Sequence, residues 1–169
     1  MCKWIQNLQT GVCNHQYNSN LDLGKKRVLI TGASRGIGAA TARSFLQEGA
    51  KTYLVSRGSN SLYLTKSQLT QEFNDKNLEV DECDCTNQNS LLELSKRVNE
   101  KWGGLDVLVA NVGDGASVDD DLPDFLQWEK TWKNNFEASL YSARAFLPML
   151  KESKGCLIFV SSITAMEAF

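Results

Sequence analysis

The stretch TGASRGIG, residues 31–38, sits between two patterns that give it meaning. Before it runs RVLIT (Arg27–Thr31), a short apolar segment β-branched at Val28, Ile30 and Thr31, which reads as a strand. After it comes IGAATARSFLQEG, with Ile37, Ala40, Thr41 and Phe45 at helical spacing and Gly49 as a stop signal. A glycine-rich turn from a strand into a helix has a specific use. Gly32 lets the chain turn sharply, and Gly36 and Gly38 let backbone and helix N-terminus approach a pyrophosphate. The free N–H groups and the helix dipole at that end favour its negative charge. Glycines alone often only make turns; the strand before and the helix after point this motif to nucleotide binding.

Outward from the motif, strand and helix patterns alternate. KTYLVS (Lys51–Ser56) predicts a second strand, and Leu62, Leu69 and Phe73 mark a helix over Ser61–Phe73. LEVDECD is a third, weaker strand, followed by a helix carrying Leu91, Leu94, Val98 and Trp102 and ended by Gly103-Gly104. LDVLVAN is nearly continuous in apolar residues, as in a strand covered on both faces. A Gly- and Asp-rich loop leads to a long helical stretch, Asp124–Lys151, disturbed near its end by Pro148. GCLIFVSS is the fifth strand. The alternation predicts an α/β fold, a Rossmann-type doubly wound parallel sheet with helices on both faces. Residues 1–20 read as a polar N-terminal extension and residues 21–169 as the dinucleotide-binding domain.

Composition narrows the alternatives. The chain of 169 residues is long enough for one domain, and a net charge of −2 gives no reason to expect nucleic acid or an acidic membrane surface as partner. There is no apolar run of spanning length, and the N-terminus lacks the h-region of a signal peptide, so a cytoplasmic location is expected. The five cysteines (Cys2, Cys13, Cys83, Cys85 and Cys156) show no disulfide framework. With His15 the single histidine and no second cysteine pair, no metal site is expected. Asp119, Asp120 and Asp121 read as a solvated run, and Trp128 and Trp132, one helical turn apart, as core.

With these motifs in place, the chain resembles the short-chain dehydrogenase/reductase family over about residues 21–169, whose glycine signature is T-G-x-x-x-G-x-G. CDCT resembles the family's D-V-T segment, with Cys85 where an aliphatic residue is usual. NVG (Asn111–Gly113) stands for the commoner N-N-A-G. WEKTWKNNF resembles the helix that carries the family's asparagine, which selects Asn135 over Asn134. FVSS followed by Ile-Thr-Ala resembles the catalytic-serine strand, which selects Ser162 over Ser161. The resemblance implies an NAD(P)-dependent oxidoreductase moving hydride between nicotinamide and a small carbonyl/alcohol substrate, working as a homo-oligomer. It implies cofactor contacts from Gly32, Ser34, Arg35, Gly36, Ile37 and Gly38, with Asp84 and Cys85 near the adenine, and Asn111 and Gly113 further along. Ser162 would polarise the substrate oxygen and Asn135 would complete a water relay. Read singly, Asp84, Asn111 and Asn135 could equally be structural polar residues.

Charge points to the form of the cofactor. A free ribose 2′-OH is usually met by an acid at the end of the second strand. Here that strand ends VSRG, where Arg57, with Arg35 in the glycine loop, suits a 2′-phosphate instead. NADP(H) is therefore expected over NAD(H). The resemblance also implies a Tyr-x-x-x-Lys pair as proton donor, and none of Tyr17, Tyr53, Tyr63 or Tyr141 has a lysine four residues on. The expectation is thus an N-terminal fragment lacking the family's last strands and helices and inactive by itself. The alternative is a non-catalytic nucleotide-binding or interaction module.

Overall fold

The computed structural model describes residues 21–114, 122 and 124–162. His15, Cys2, Cys13 and the Asp119–Asp121 run lie outside the described residues. Five strands form one sheet: β1 (Arg27–Thr31), β2 (Lys51–Ser56), β3 (Leu78–Glu82), β4 (Val107–Ala110) and β5 (Cys156–Phe159). Their order is β3-β2-β1-β4-β5 and every pairing is parallel, as the alternating pattern predicts. The chain therefore builds outward from β1 to β3, then returns to the other side of β1 for β4. That reversal leaves a crevice at the carboxyl ends of β1 and β4, where open α/β sheets take their ligands.

Period-two alternation along the strands divides the core into two layers. Val28, Ile30, Leu54 and Val109 face α1 (Gly36–Gln47) and α2 (Ser59–Glu72). Leu29, Val55 and Leu108 face the opposite side, against α3 (Gln88–Trp102) and α5 (Ala138–Ser153). Leu91, Leu94 and Val98 on α3 are fully buried, each worth roughly 1.5–3 kcal/mol of transfer free energy. At the opposite end of the sheet from the glycine motif, Arg27 latches β1 to the start of β4. Its Nε and backbone N–H both donate to Asp106 Oδ2 at 2.8 Å, and a terminal nitrogen donates to Oδ1 at 3.0 Å. Those side-chain hydrogen bonds hold the Asp106 carboxyl below the usual carboxylate range.

Three expectations need correction. Helix α1 presents Gly38, Ala42 and Leu46 to the sheet, one position on from the predicted stripe, while Ile37 and Ala40 are exposed. The spacing of four is the same, but small residues occupy the contact because the helix lies close against β1. The long helix is not uniform either. It divides into α4 (Phe125–Trp132), a π turn (Lys133–Glu137) and α5, with the Ala138 N–H reaching back five residues to Lys133 O. Finally, Trp128 and Trp132 are 54% and 50% exposed and Phe125 is 79% exposed, so the two tryptophans are not core. α4 buries no residue at all; it is held locally by a capping box in which Asp124 Oδ1 accepts from the Gln127 N–H at 2.8 Å.

Candidate functional site

The glycine turn is fastened on every side. Thr31 closes β1 with its hydroxyl donating to Val109 O and accepting the Asn111 N–H at 3.0 Å. The Asn111 side-chain amide donates to Thr31 O at 3.1 Å and Gly32 O at 3.2 Å. From the β2 side, the Ala33 N–H donates to Val55 O, and the Ser56 hydroxyl donates to Ser34 Oγ at 3.1 Å. From α2, the Thr65 hydroxyl donates to Ser34 O at 2.7 Å. Ser56 and Thr65 are structural members of the site that sequence patterns alone do not single out. Each is an ordinary hydroxyl whose role depends on partners 22 and 31 positions away.

The turn opens onto the start of α1. Gly32 and Gly36 have φ of +64° and +56°, and a Cβ on Gly36 would meet nothing within 4 Å. That open face allows a ligand to come up to the backbone. The residue before the helix, Arg35, makes no side-chain cap, so the first-turn N–H groups have no side-chain partner there. Gly38 has the opposite surroundings: a Cβ there would lie 2.5 Å from Gly32 O and 2.6 Å from Asn111 Nδ2. Its glycine serves helix–strand contact rather than ligand approach. Ile37 is 66% exposed beside it.

The remaining candidates line the same carboxyl edge. Arg57 follows β2 and is exposed. Asp84 follows β3 and is exposed; its Oδ1 accepts both the Thr86 N–H at 3.0 Å and the Thr86 hydroxyl at 2.8 Å in an Asx turn. Cys85 is buried in the layer under α3 and α5, so any ligand contact it makes comes from its backbone. Arg57 and Asp84 share a cleft of about 680 Å³ with Glu82, Cys83, Glu93 and Arg97. Arg35, the glycines and Ser162 are not part of its wall. Arg35 precedes α1 and Arg57 follows β2, and only the second lines this cleft.

Beyond β4, the chain meets the π turn. Asn135 Oδ1 accepts the Asp114 N–H at 2.8 Å, and its Nδ2 donates to Thr131 O at 3.1 Å. The buried Asn134 donates to Asp114 Oδ2 at 3.3 Å. So Asn111, Gly113 and Asn135 are brought to one corner, with Gly113 directly against Asn135 Oδ1. The Val160 N–H donates to Ala110 O, which carries β5 alongside β4 and delivers exposed Ser162 to the same edge. Of the described tyrosines, Tyr53 is buried with its hydroxyl donating to Asp81 Oδ2; burial first, and then the Asp81 charge, push it well above the ordinary phenol range. It cannot serve as the site's acid. Among the described residues no cluster of three or more His, Cys, Asp or Glu could hold a metal ion, and no helix is long and apolar enough to cross a membrane.

Comparison with known proteins gives the same picture. A family model described as short chain dehydrogenase matches residues 26–169. An uncharacterized oxidoreductase of Staphylococcus aureus strain N315 is 34% identical over 148 residues, covering 86% of this chain and 62% of the relative. A Staphylococcus saprophyticus counterpart is 32% identical over 87% of this chain and 63% of its own. The chain spans about three-fifths of the length of these relatives. Among solved structures, an alcohol dehydrogenase from the archaeon Thermococcus sibiricus complexed with 5-hydroxy-NADP superposes with a TM-score of 0.78 at 29% identity, covering 85% of this chain and 61% of that one. An NADPH-bound short chain oxidoreductase from Pseudomonas aeruginosa gives a TM-score of 0.82 at 26% identity, covering 87% and 58%.

Proposed function

Because the chain belongs to the short chain dehydrogenase family, we propose that it supplies the dinucleotide-binding part of an NADP(H)-dependent oxidoreductase acting on a carbonyl/alcohol pair. The observation that carries this reading is the first turn of α1: no side chain caps its N–H groups, and the Gly36 backbone is open. These features fit a dinucleotide. The α1 N–H groups take the pyrophosphate, Arg35 and Arg57 take a 2′-phosphate, and Asp84 Oδ2 accepts from the adenine amino group. Asn111 keeps the glycine turn in shape. Gly113 leaves room beside Asn135. When bound, the nicotinamide accepts or supplies hydride.

Ser162 donates a hydrogen bond to the substrate oxygen and so polarises it. A serine hydroxyl is too weak an acid to complete the proton transfer, which needs a group of matched pKa within hydrogen-bond reach. None of the four tyrosines of these 169 residues has a lysine four positions on, and we assign the 169-residue polypeptide no turnover by itself. The NADP-containing relatives of known structure support the choice of cofactor by likeness.

Titration calorimetry with NADPH and NADH tests the reading. NADPH should bind about tenfold or more tightly, and Arg57→Asp should narrow or reverse the gap. Equal affinities unchanged by Arg57→Asp would remove the 2′-phosphate assignment. The same protein, given NADPH and a panel of carbonyls, should leave the NADPH absorbance unchanged. Turnover abolished by Ser162→Ala would show a proton donor that this account does not contain.

A further inference from the structure

Helix α2 buries Leu62, Thr65 and Leu69 along one stripe, and the middle place in that stripe is held by a hydroxyl. A serine or threonine inside a helix ordinarily turns its hydroxyl back to a carbonyl of the preceding turn, as Ser44 does to Ala40 O and Thr70 to Ser67 O. Thr65 does not. It is 7% exposed, and its hydroxyl donates at 2.7 Å to Ser34 O in the glycine turn. Valine has the same branched shape, so packing alone does not call for the oxygen.

The bond fixes more than one carbonyl. A peptide unit is planar, so holding Ser34 O holds the whole plane that joins Ser34 to Arg35. On the other side of Arg35, its own carbonyl accepts the Ala39 N–H at 3.3 Å as the first bond of α1. Both planes that flank Arg35 are therefore held, with φ −168° and ψ 177° between them. Two fixed planes fix the direction of the Cα–Cβ bond. The Arg35 side chain is exposed and enters no ion pair among the described residues, so the backbone alone aims it.

We propose that Thr65 is a positioning residue for cofactor choice: through Ser34 O it directs Arg35 toward the 2′-phosphate and so favours NADPH over NADH. The inference rests on the dinucleotide reading above. It gives α2, which carries none of the proposed ligand contacts, a part in recognising the phosphate. Without the Thr65 donor, the plane between Ser34 and Arg35 is free to turn, and the guanidinium is aimed at the phosphate for less of the time. The rest of the turn keeps its shape, because Asn111 still braces Thr31 O and Gly32 O, and Gly38 still lies against them.

The test is titration calorimetry of the full chain with NADPH and NADH, for the parent, Thr65→Val, Thr65→Ser, Arg35→Gln and the double variant Thr65→Val with Arg35→Gln. Thr65→Val should raise the NADPH dissociation constant about fivefold and the NADH constant by less than about twofold. Thr65→Ser keeps the hydroxyl and should restore the parent's preference. In the Arg35→Gln background, Thr65→Val should weaken NADPH no further, because the side chain it aims is gone. Unchanged affinities in Thr65→Val would overturn the proposal. So would a loss shared equally by both nucleotides, or one that persists undiminished with Arg35→Gln, since either describes a turn loosened as a whole. Thr65→Ala takes the place of Thr65→Val in every comparison if the valine variant does not fold. In amide NMR spectra of the ligand-free protein, the Arg35 signal should move in Thr65→Val and return in Thr65→Ser; a signal that stays put would show that Thr65 does not hold the plane. If the parent binds neither nucleotide, the dinucleotide reading fails, while the Arg35 signal still decides what Thr65 holds.

Discussion

The two halves of the sheet differ in how they are covered. Around β1 and β2, each strand is buried on both faces, and the glycine turn is tied to β2, β4 and α2 by backbone and hydroxyl bonds. At β5 and α4, by contrast, Ile158, Phe159, Phe125 and Trp132 face outward among the described residues. Both regions carry similar apolar periodicity. Periodicity shows that a face is made to be covered, and it is silent on what covers it. The first region finds its cover within the described residues. In the second, Trp132 stacks on Phe136 with ring centroids 4.4 Å apart, and both remain about half exposed.

The contrast is most easily broken in the closed half. Gly38→Ala places a methyl group where Gly32 O and Asn111 Nδ2 already are, so it should destabilise by about 1–3 kcal/mol in urea unfolding and weaken NADPH binding. A neutral result would mean that α1 can lift off β1 freely. At the seam between the halves, Asp106→Asn removes the charge from the Arg27 latch and should cost about 1–2 kcal/mol at neutral pH. The Asp106 carboxyl titrates lower in the folded chain than in the unfolded chain. Its contribution is therefore present above the ordinary carboxylate range and lost as pH falls through the folded value. Acid unfolding should thus be less steep in Asp106→Asn than in the parent; parallel curves would show that the latch contributes nothing through its charge. In the open half, Phe125→Gln with Trp128→Gln should change stability by only about 0.5 kcal/mol or less. The same pair should reduce self-association in sedimentation velocity, since a wide apolar face is a contact surface. A large loss of stability there would show that α4 is covered after all.

The parts of the molecule that depend on near neighbours in sequence are visible in the sequence. RVLIT followed by TGASRGIG identifies β1, the turn and the start of α1, because strand period, glycine placement and helix period meet within a few residues. Leu91, Leu94 and Val98 identify the buried face of α3 for the same reason. What escapes is set by partners elsewhere. Asn111 is recognisable as a site residue, yet its role as a brace depends on Thr31 and Gly32 across the sheet. The inward face of α1 was displaced by one position because Gly38 and Ala42 carry almost no hydrophobic signal, although their smallness is what lets them pack. Trp128 and Trp132 are large aromatics one helical turn apart and yet lie outside. Cys85 shows the same limit, since only the fold reveals that it is buried in the layer under α3 and α5.

The π turn between α4 and α5 has a consequence for how the chain can change. A π turn is an α turn carrying one additional residue, accommodated by widening the coil instead of displacing its ends. Here the widened coil carries Asn134 and Asn135, whose amides reach the segment after β4, while α5 beyond it continues to bury Ala138, Ser142 and Phe146. Deleting one residue from Lys133–Glu137 would restore regular coiling and leave α4 and α5 aligned as they are. The tryptophan-bearing face of α4 would keep its direction, while the amides of Asn134 and Asn135 would lose the widened coil that aims them at Asp114. A single codon in this turn therefore governs the aim of two amides.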